Sequence, residues 1–276
     1  MWEKRRKDSE KRRAVEADSY ETRITKNILD AYHGKMMRSV VSDVLIVGAG
    51  PSGLVAARDL ARKGRKVTVL EKRLSPGGGV WGGAMAMNEV VIQEAAVEVL
   101  EEIGVRTPLG ADGLYVIDAI ELASALCLHA VQAGAVLLNL TTAEDLCVRG
   151  GKVRGVVANR TGLVDQMPID PITLQAENVL DATGHEAALV HMLDRRKGLE
   201  DSAGLSGEGM MNATEGDSFV VEEVAEVFPG LWITGMTVAA VMGGPRMGPI
   251  FGGMLLSGRR AADLIDLEMA MDSVRV

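Results

Sequence analysis

Gly48-Ala49-Gly50-Pro51-Ser52-Gly53 has the G-x-G-x-x-G spacing, and Glu71 stands eighteen residues after its last glycine. Glycines so placed permit a tight turn at Gly48, let a pyrophosphate reach the backbone at Gly50, and let a helix pack on a strand at Gly53. The first turn of the helix that follows offers unpaired N–H groups and partial positive charge to phosphates. Glu71 can accept from ribose hydroxyls, which favours a dinucleotide without a 2′-phosphate. A glycine turn that only joins strand to helix is the plainer reading. Arg246 lies in a second glycine-rich loop, Gly243-Gly244-Pro245-Arg246-Met247-Gly248-Pro249. Its fork of donors matches a carboxylate in two-point contact, so the end of the chain reads as holding a small carboxylate beside the nucleotide. The bland alternative is a surface ion pair. Asp170 and His185 offer a carboxylate and an imidazole, a donor set that suits divalent iron with positions open for substrate. Spacing does not show that they meet, and a lone histidine is more often structural. His33, His129 and His191 are less well placed.

These groups need a frame. Val44–Val47 reads as a buried parallel strand, Leu54–Lys63 as a helix stopped by Gly64, and Lys66–Leu70 as a second strand ending at Glu71. The motif therefore stands in a full strand–helix–strand context, and that context carries the dinucleotide reading. Upstream, Tyr20, Ile24, Ile28 and Tyr32 recur every fourth residue along one helical face. Met1–Arg13 is dense in Lys, Arg and Glu and reads as a solvated helix face or a frayed terminus, with an anionic partner as the alternative.

Downstream, Pro76–Gly83 is a glycine-rich loop fit to close on a ligand, or a passive mobile loop. Asn88–Ile103 reads as a helix, Leu114–Ile117 as a strand, Ala119–Ala133 as a helix and Val136–Leu140 as a strand. Thr141–Asp145 then reads as a turn into Leu146–Arg149, with a hairpin at Gly150-Gly151 to Val153–Ala158. Ile172–Val179 returns to the sheet and ends in the Thr183-Gly184-His185 turn. Residues 197–217 read as loop, Phe219–Phe228 as strand or short helix, Leu231–Ile233 as the last core strand, and Ile250–Leu267 as the closing helix.

The expected fold is α/β, a Rossmann-like FAD/NAD(P)-binding fold of GR2 type with an inserted β-rich segment. Residues 1–41 form an N-terminal helical arm. Residues 42–276 form a single dinucleotide-binding α/β domain whose insertion spans about 136–180. With 276 residues, 47% hydrophobic and 25% charged, the chain has a globular composition. A net charge of -8 argues against nucleic acid as a partner. No apolar run is long enough to span a bilayer, and the charged N-terminus does not resemble a signal peptide, so a cytoplasmic protein without membrane partners is expected. Cys127 and Cys147 read as core residues rather than as a disulfide or metal pair.

The nucleotide motif alone fits a flavin or nicotinamide oxidoreductase. Against a flavin, the last core strand ends Thr234-Gly235-Met236, without the acid usual there in flavoproteins. Taken together, the motifs resemble a known family, the Thi4-type thiamine thiazole synthases. The resemblance rests on Gly48–Gly53, Glu71-Lys72, the PGGGVWGG loop, Ala143-Glu144-Asp145, Asp170-Pro171, Thr183-Gly184-His185, Pro229-Gly230-Leu231, Thr234-Gly235-Met236 and GGPRMGPIFGGMLLSG at Gly243–Gly258. It runs from about Tyr20 to Ile265.

The resemblance implies that NAD is a substrate: nicotinamide leaves, the ADP-ribose carbonyl condenses with glycine, sulfur is added, and an adenylated thiazole carboxylate results. Fe(II) would be the cofactor, holding the glycine-derived imine and delivering sulfide. Ser52, Glu71, Lys72, Gly79, Ala143 and Met236 would line the nucleotide beside Gly48, Gly50 and Gly53, with Pro168 and Ile169 in the same binding set. Arg246 would grip the glycine carboxylate. Asp170 and His185 would bind the metal, Asp170 coming from an adjacent protomer of a homo-oligomer, commonly an octamer. Members that sacrifice their own sulfur carry cysteine two residues before the metal-binding aspartate; Pro168 stands there in this chain. The expectation is therefore a multiple-turnover enzyme fed by free sulfide. Two other readings stay open, an FAD-dependent oxidoreductase and a non-catalytic adenine-nucleotide-binding protein.

Overall fold

The computed structural model describes residues 19–163, 169–196 and 205–275, and Pro168 lies outside them. Two units are distinguished, Met1–Val40 and Val41–Val276. In the first, helix α1 (Tyr20–Ser39) starts at Ser19, whose hydroxyl accepts from the Thr22 amide at 3.3 Å. That bond satisfies one of the donors a helix start leaves unpaired. Tyr20, Ile24, Ile28 and Tyr32 all lie on this helix, as their period predicts.

The second unit is built on β1 (Val41–Val47), α2 (Pro51–Arg62) and β2 (Val67–Glu71). Val44, Leu45 and Ile46 are fully buried, as a strand covered on both faces must be. Then come β3 (Glu89–Gln93), α3 (Val97–Glu101), β4 (Leu114–Asp118), α4 (Ala119–Gln132) and β5 (Val136–Asn139). The hairpin β6 (Thr141–Arg149) and β7 (Lys152–Arg160) leads to β8 (Ile172–Asp181). After α5 (Ala188–Arg195) the described chain continues through β9 (Gly209–Met211), α6 (Ala213–Glu222), β10 (Glu226–Phe228) and β11 (Leu231–Ile233). It closes with α7 (Met236–Met242), β12 (Pro245–Arg246) and α8 (Gly252–Arg275).

The main sheet runs β10-β11-β8-β1-β2-β5. Its β11–β8, β8–β1, β1–β2 and β2–β5 pairs are parallel. β6 and β7 join it antiparallel, β7 lying along the first half of β8. From β1 the chain crosses through α2 to β2 on one side, while β8 flanks β1 on the other. The crevice at such a switch point, beyond the carboxyl ends of the strands, is where open parallel sheets bind ligands. The fold is the expected Rossmann-like α/β architecture.

Four local expectations are corrected. Residues 89–93 are strand rather than helix: Val90 and Ile92 are fully buried and alternate with more exposed neighbours, and β3 pairs antiparallel with all of β4. Only Val97–Glu101 of the expected Asn88–Ile103 helix is α-helical. Thr141–Asp145 is the first half of a strand rather than a turn; the chain changes direction at Leu140, which takes a positive φ of 53°. Within 205–217, β9 and the start of α6 replace loop, and the Asn212 side chain accepts from the Glu215 amide to begin that helix. The closing helix runs to Arg275.

Candidate active site

A cavity of 780 Å³ opens at the carboxyl ends of β1, β2 and β8. That is ample for a cofactor-sized ligand. One wall is the glycine turn. Gly48 has φ +102°, and a Cβ there would strike the Ala182 carbonyl oxygen. A Cβ on Gly53 would strike the Gly48 carbonyl oxygen, so this glycine packs helix against turn and does not line the cavity. Gly50, the N-cap of α2, has nothing within 4 Å of its Cβ position and faces the cavity with Gly48, Pro51 and Ser52. The open space at Gly50 and the start of α2 beside it make an anion seat.

Glu71 ends β2, is 6% exposed and lines the cavity. One carboxylate oxygen accepts from the Ala49 amide at 3.0 Å, the other from the Arg73 amide at 2.7 Å. It therefore pins the glycine turn as well as facing the ligand space, and each oxygen keeps acceptor capacity for a hydroxyl. Gly77 donates to the Ala49 carbonyl at 2.7 Å, which binds the glycine-rich loop to the same turn and brings Gly78 and Gly79 to the cavity. Lys72 reaches both carboxylate oxygens of Glu186 at 2.6 Å. Ala143 and Met236 are each 7% exposed and complete this wall. Met192, Met211, Met247 and Met254 join Met236 around the cavity, giving it a soft, adaptable lining.

His185 stands one turn beyond β8, and that turn is firmly anchored. Asp181 is fully buried at the strand end. One of its oxygens accepts from the Thr183 amide and hydroxyl, the other from the Leu189 and Val190 amides at the start of α5. Burial pushes its carboxyl above the ordinary 3.8, while these donors pull it back. Thr237 accepts from the Gly184 amide at 3.0 Å and donates to the Gly184 carbonyl at 3.2 Å. His185 thus projects from a backbone held on both sides.

Arg246, on β12, also lines the cavity. Glu208, which immediately precedes β9, joins the two: its Oε1 accepts from His185 Nδ1, and its Oε2 lies 3.2 Å from Arg246 Nε. Arg246 faces the cavity and is also ion-paired, as the plainer reading expects, with Glu208 as its partner. Glu208, Asp181, Thr237 and Glu186 are site-forming residues that the sequence reading passes over. Only Glu208 carries a local signal, an acid between Gly207 and Gly209.

Asp170 does not join His185 within the chain. It precedes β8 while His185 follows it, and ten residues of strand at about 3.3 Å each separate the two by about 30 Å. Ile169 is 42% exposed and away from the cavity, its carbonyl accepting from Asn159 at 3.4 Å. Among the described residues no group of three or more His, Cys, Asp or Glu is placed to hold a metal. Both cysteines are free. Burial, with Glu71 nearby, pushes the Cys127 thiol up to about 11, and burial raises Cys147 as well. Among the described residues no helix is long and apolar enough to cross a membrane.

Comparison with known proteins adds a lineage to this geometry. A family model described as the Thi4 family matches residues 25–251. The thiamine thiazole synthase of Thermococcus kodakarensis is 50% identical over 243 residues, 88% of this chain and 96% of that protein. The thiamine thiazole synthase of Thermotoga maritima is 44% identical over 247 residues, 88% and 95% of the two chains. The crystal structure of Thermovibrio ammonificans THI4 superposes with a TM-score of 0.87 at 41% identity, covering 91% of this chain and 99% of that one.

Proposed function

The chain belongs to the Thi4 family, and from that membership we propose that it is a thiamine thiazole synthase, converting NAD, glycine and sulfide to an adenylated thiazole carboxylate with release of nicotinamide. The observation that carries the reading is one cavity faced by the glycine turn, Glu71, His185 and Arg246. An oxidoreductase needs only the first two. The last two give a dinucleotide seat an imidazole and a carboxylate clamp at its far end.

The residues divide the work. The start of α2 holds the pyrophosphate, and Glu71 holds the adenosine ribose. Anchored there, the nicotinamide ribose lies toward His185 and Arg246. Nicotinamide is a good leaving group because it is cationic while attached and neutral when free. Water takes nicotinamide's place at the anomeric carbon, the ribose opens to its aldehyde and isomerises to a ketone, and Arg246 pairs with glycine's carboxylate so that its amine meets that carbonyl and condenses with loss of water. Holding both partners in one geometry turns an encounter in solution into a local reaction.

The donor set fits a divalent iron. His185 has one ring nitrogen committed to Glu208, which leaves the other for a metal, and Asp170 supplies a carboxylate from a second copy of the chain. Bound there, the metal supplies Lewis acidity and a template for a soft sulfur nucleophile. Positions at opposite ends of β8 make a homo-oligomer, an octamer in our reading, a requirement of the site. Pro168 has no thiol, and the raised cysteines supply no ready thiolate, so sulfur comes from free sulfide. The protein works in the cytoplasm, with no nucleic-acid or membrane partner.

Anaerobic incubation of the purified protein with NAD, glycine, sulfide and Fe(II) tests this by mass spectrometry. More than one adenylated thiazole per chain is expected. No thiazole under any metal condition, or a flavin released on denaturation, sinks it.

A further inference from the structure

The geometry points to Glu208 as a positioning residue that sets the metal-binding imidazole and the carboxylate clamp together; this rests on the synthase reading above. Its side chain is 15% exposed, whereas His185 and Arg246 are each 60% exposed. It does not line the cavity itself. It stands behind two groups that do, with one oxygen on each.

The backbone around it is tied down. Gly209 donates to the Gly244 carbonyl at 2.8 Å and Asn212 to the Arg246 carbonyl at 3.0 Å, so β9 and β12 hold Glu208 and Arg246 in fixed register. His185 arrives from β8 on the other side. Glu208 is therefore a strap between the end of the main sheet and the β9–β12 pair.

Its chemistry allows one arrangement. A carboxylate only accepts, so the imidazole must carry its proton on Nδ1, which leaves the Nε2 lone pair for a metal. The guanidinium meets Glu208 through Nε, which leaves its two terminal nitrogens to meet a ligand carboxylate. A glutamine cannot do both. With its oxygen toward His185, its NH2 opposes the Nε–H of Arg246. With its oxygen toward Arg246, its NH2 must donate to Nδ1, which moves the ring proton to Nε2 and blocks the metal position. Loss of one negative charge therefore affects two functions that a merely structural glutamate would leave alone.

Full-length wild type, E208Q and E208D test this. Co(II) affinity, measured by anaerobic equilibrium dialysis without substrates, is expected to fall about 10- to 100-fold in E208Q, the range found when an outer partner of a metal ligand is lost. In turnover, the KM for glycine is expected to rise roughly tenfold, as one 1.4 kcal/mol contact would give. Affinity for ADP-ribose by calorimetry and the KM for NAD should stay within about twofold of wild type, because the adenylate seat is untouched. E208D keeps both acceptors on a shorter arm and should fall between wild type and E208Q in Co(II) affinity and glycine KM; its values decide the question if E208Q does not fold. Wild-type Co(II) affinity and glycine KM in a folded variant overturn the inference while leaving the synthase reading intact. A wild type inactive with all four components overturns both.

Discussion

Arg246 turns one edge of its guanidinium to Glu208 and faces the cavity, and this sets the sharpest expectation for a single side chain. Lysine at 246 keeps the charge but not the fork, so Arg246→Lys should raise the KM for glycine about tenfold or more while ADP-ribose binding, read by calorimetry, is nearly unchanged. Equal losses for both ligands would place Arg246 in the nucleotide seat instead. Cys127 gives a second expectation. With its thiol pushed up to about 11, it holds almost no thiolate at neutral pH. Iodoacetamide labelling of the folded protein at pH 8 should run about a hundredfold slower than for free cysteine and rise log-linearly with pH, followed by peptide mass spectrometry. Rapid labelling at pH 8 would revive Cys127 as a sulfur source. At this scale the sequence picks out two residues that line the cavity, Glu71 and Arg246, because both sit at telling distances from glycine motifs. It marks Glu208 only as an acid between two glycines and hides its two partners, which lie 23 and 38 residues away in the chain.

Among the elements, the β1–α2–β2 unit is legible because its contacts are local: an apolar run, a glycine turn, a helical stripe and a second run follow one another without interruption. β3 is not legible in the same way. Val90, Val91 and Ile92 can be read as the start of a helical stripe that runs on to Val97, Val99 and Leu100, and only the partner strand β4 and the Phe251 amide bonded to the Val91 carbonyl decide for strand at Glu89–Gln93. Helix α8 is legible as a helix but not in its purpose. A Cβ on Gly258 would strike the backbone of Ser52, at the first turn of α2, so α8 braces the proposed phosphate seat by close approach. Ser257 strengthens that brace, its hydroxyl accepting from the Gly235 amide at 2.8 Å. Gly258→Ala should lower stability by about 1–3 kcal/mol, as overpacking does, and weaken ADP-ribose binding more than Co(II) binding. Thermal melts and calorimetry check both. An unchanged nucleotide affinity would separate α8 from the seat.

For the whole molecule the decisive fact is the length of β8, with Asp170 just before its entry and His185 beyond its exit. If each site draws these groups from two chains, D170A and H185A proteins are inactive alone and complement each other when reassembled together. A random one-to-one mixture leaves about one site in four with both groups intact, so roughly a quarter of wild-type activity is expected. Turnover assays after co-refolding measure it, and no recovery would mean that a single chain holds both ligands. Sequence reading returns Ile172–Val179 to the sheet without saying how far the strand runs; its register against β1 carries it straight on to Asp181, which sets Asp170 and His185 at opposite ends. The same strand has a consequence for the cell. On the proposed two-chain site, a lone, newly made chain would hold the dinucleotide seat without a complete set of metal ligands, so finished product would form only once subunits had found one another. By the same token, a chain damaged at both ends of β8 would silence two sites instead of one, so activity would fall as the square of the intact fraction of chains.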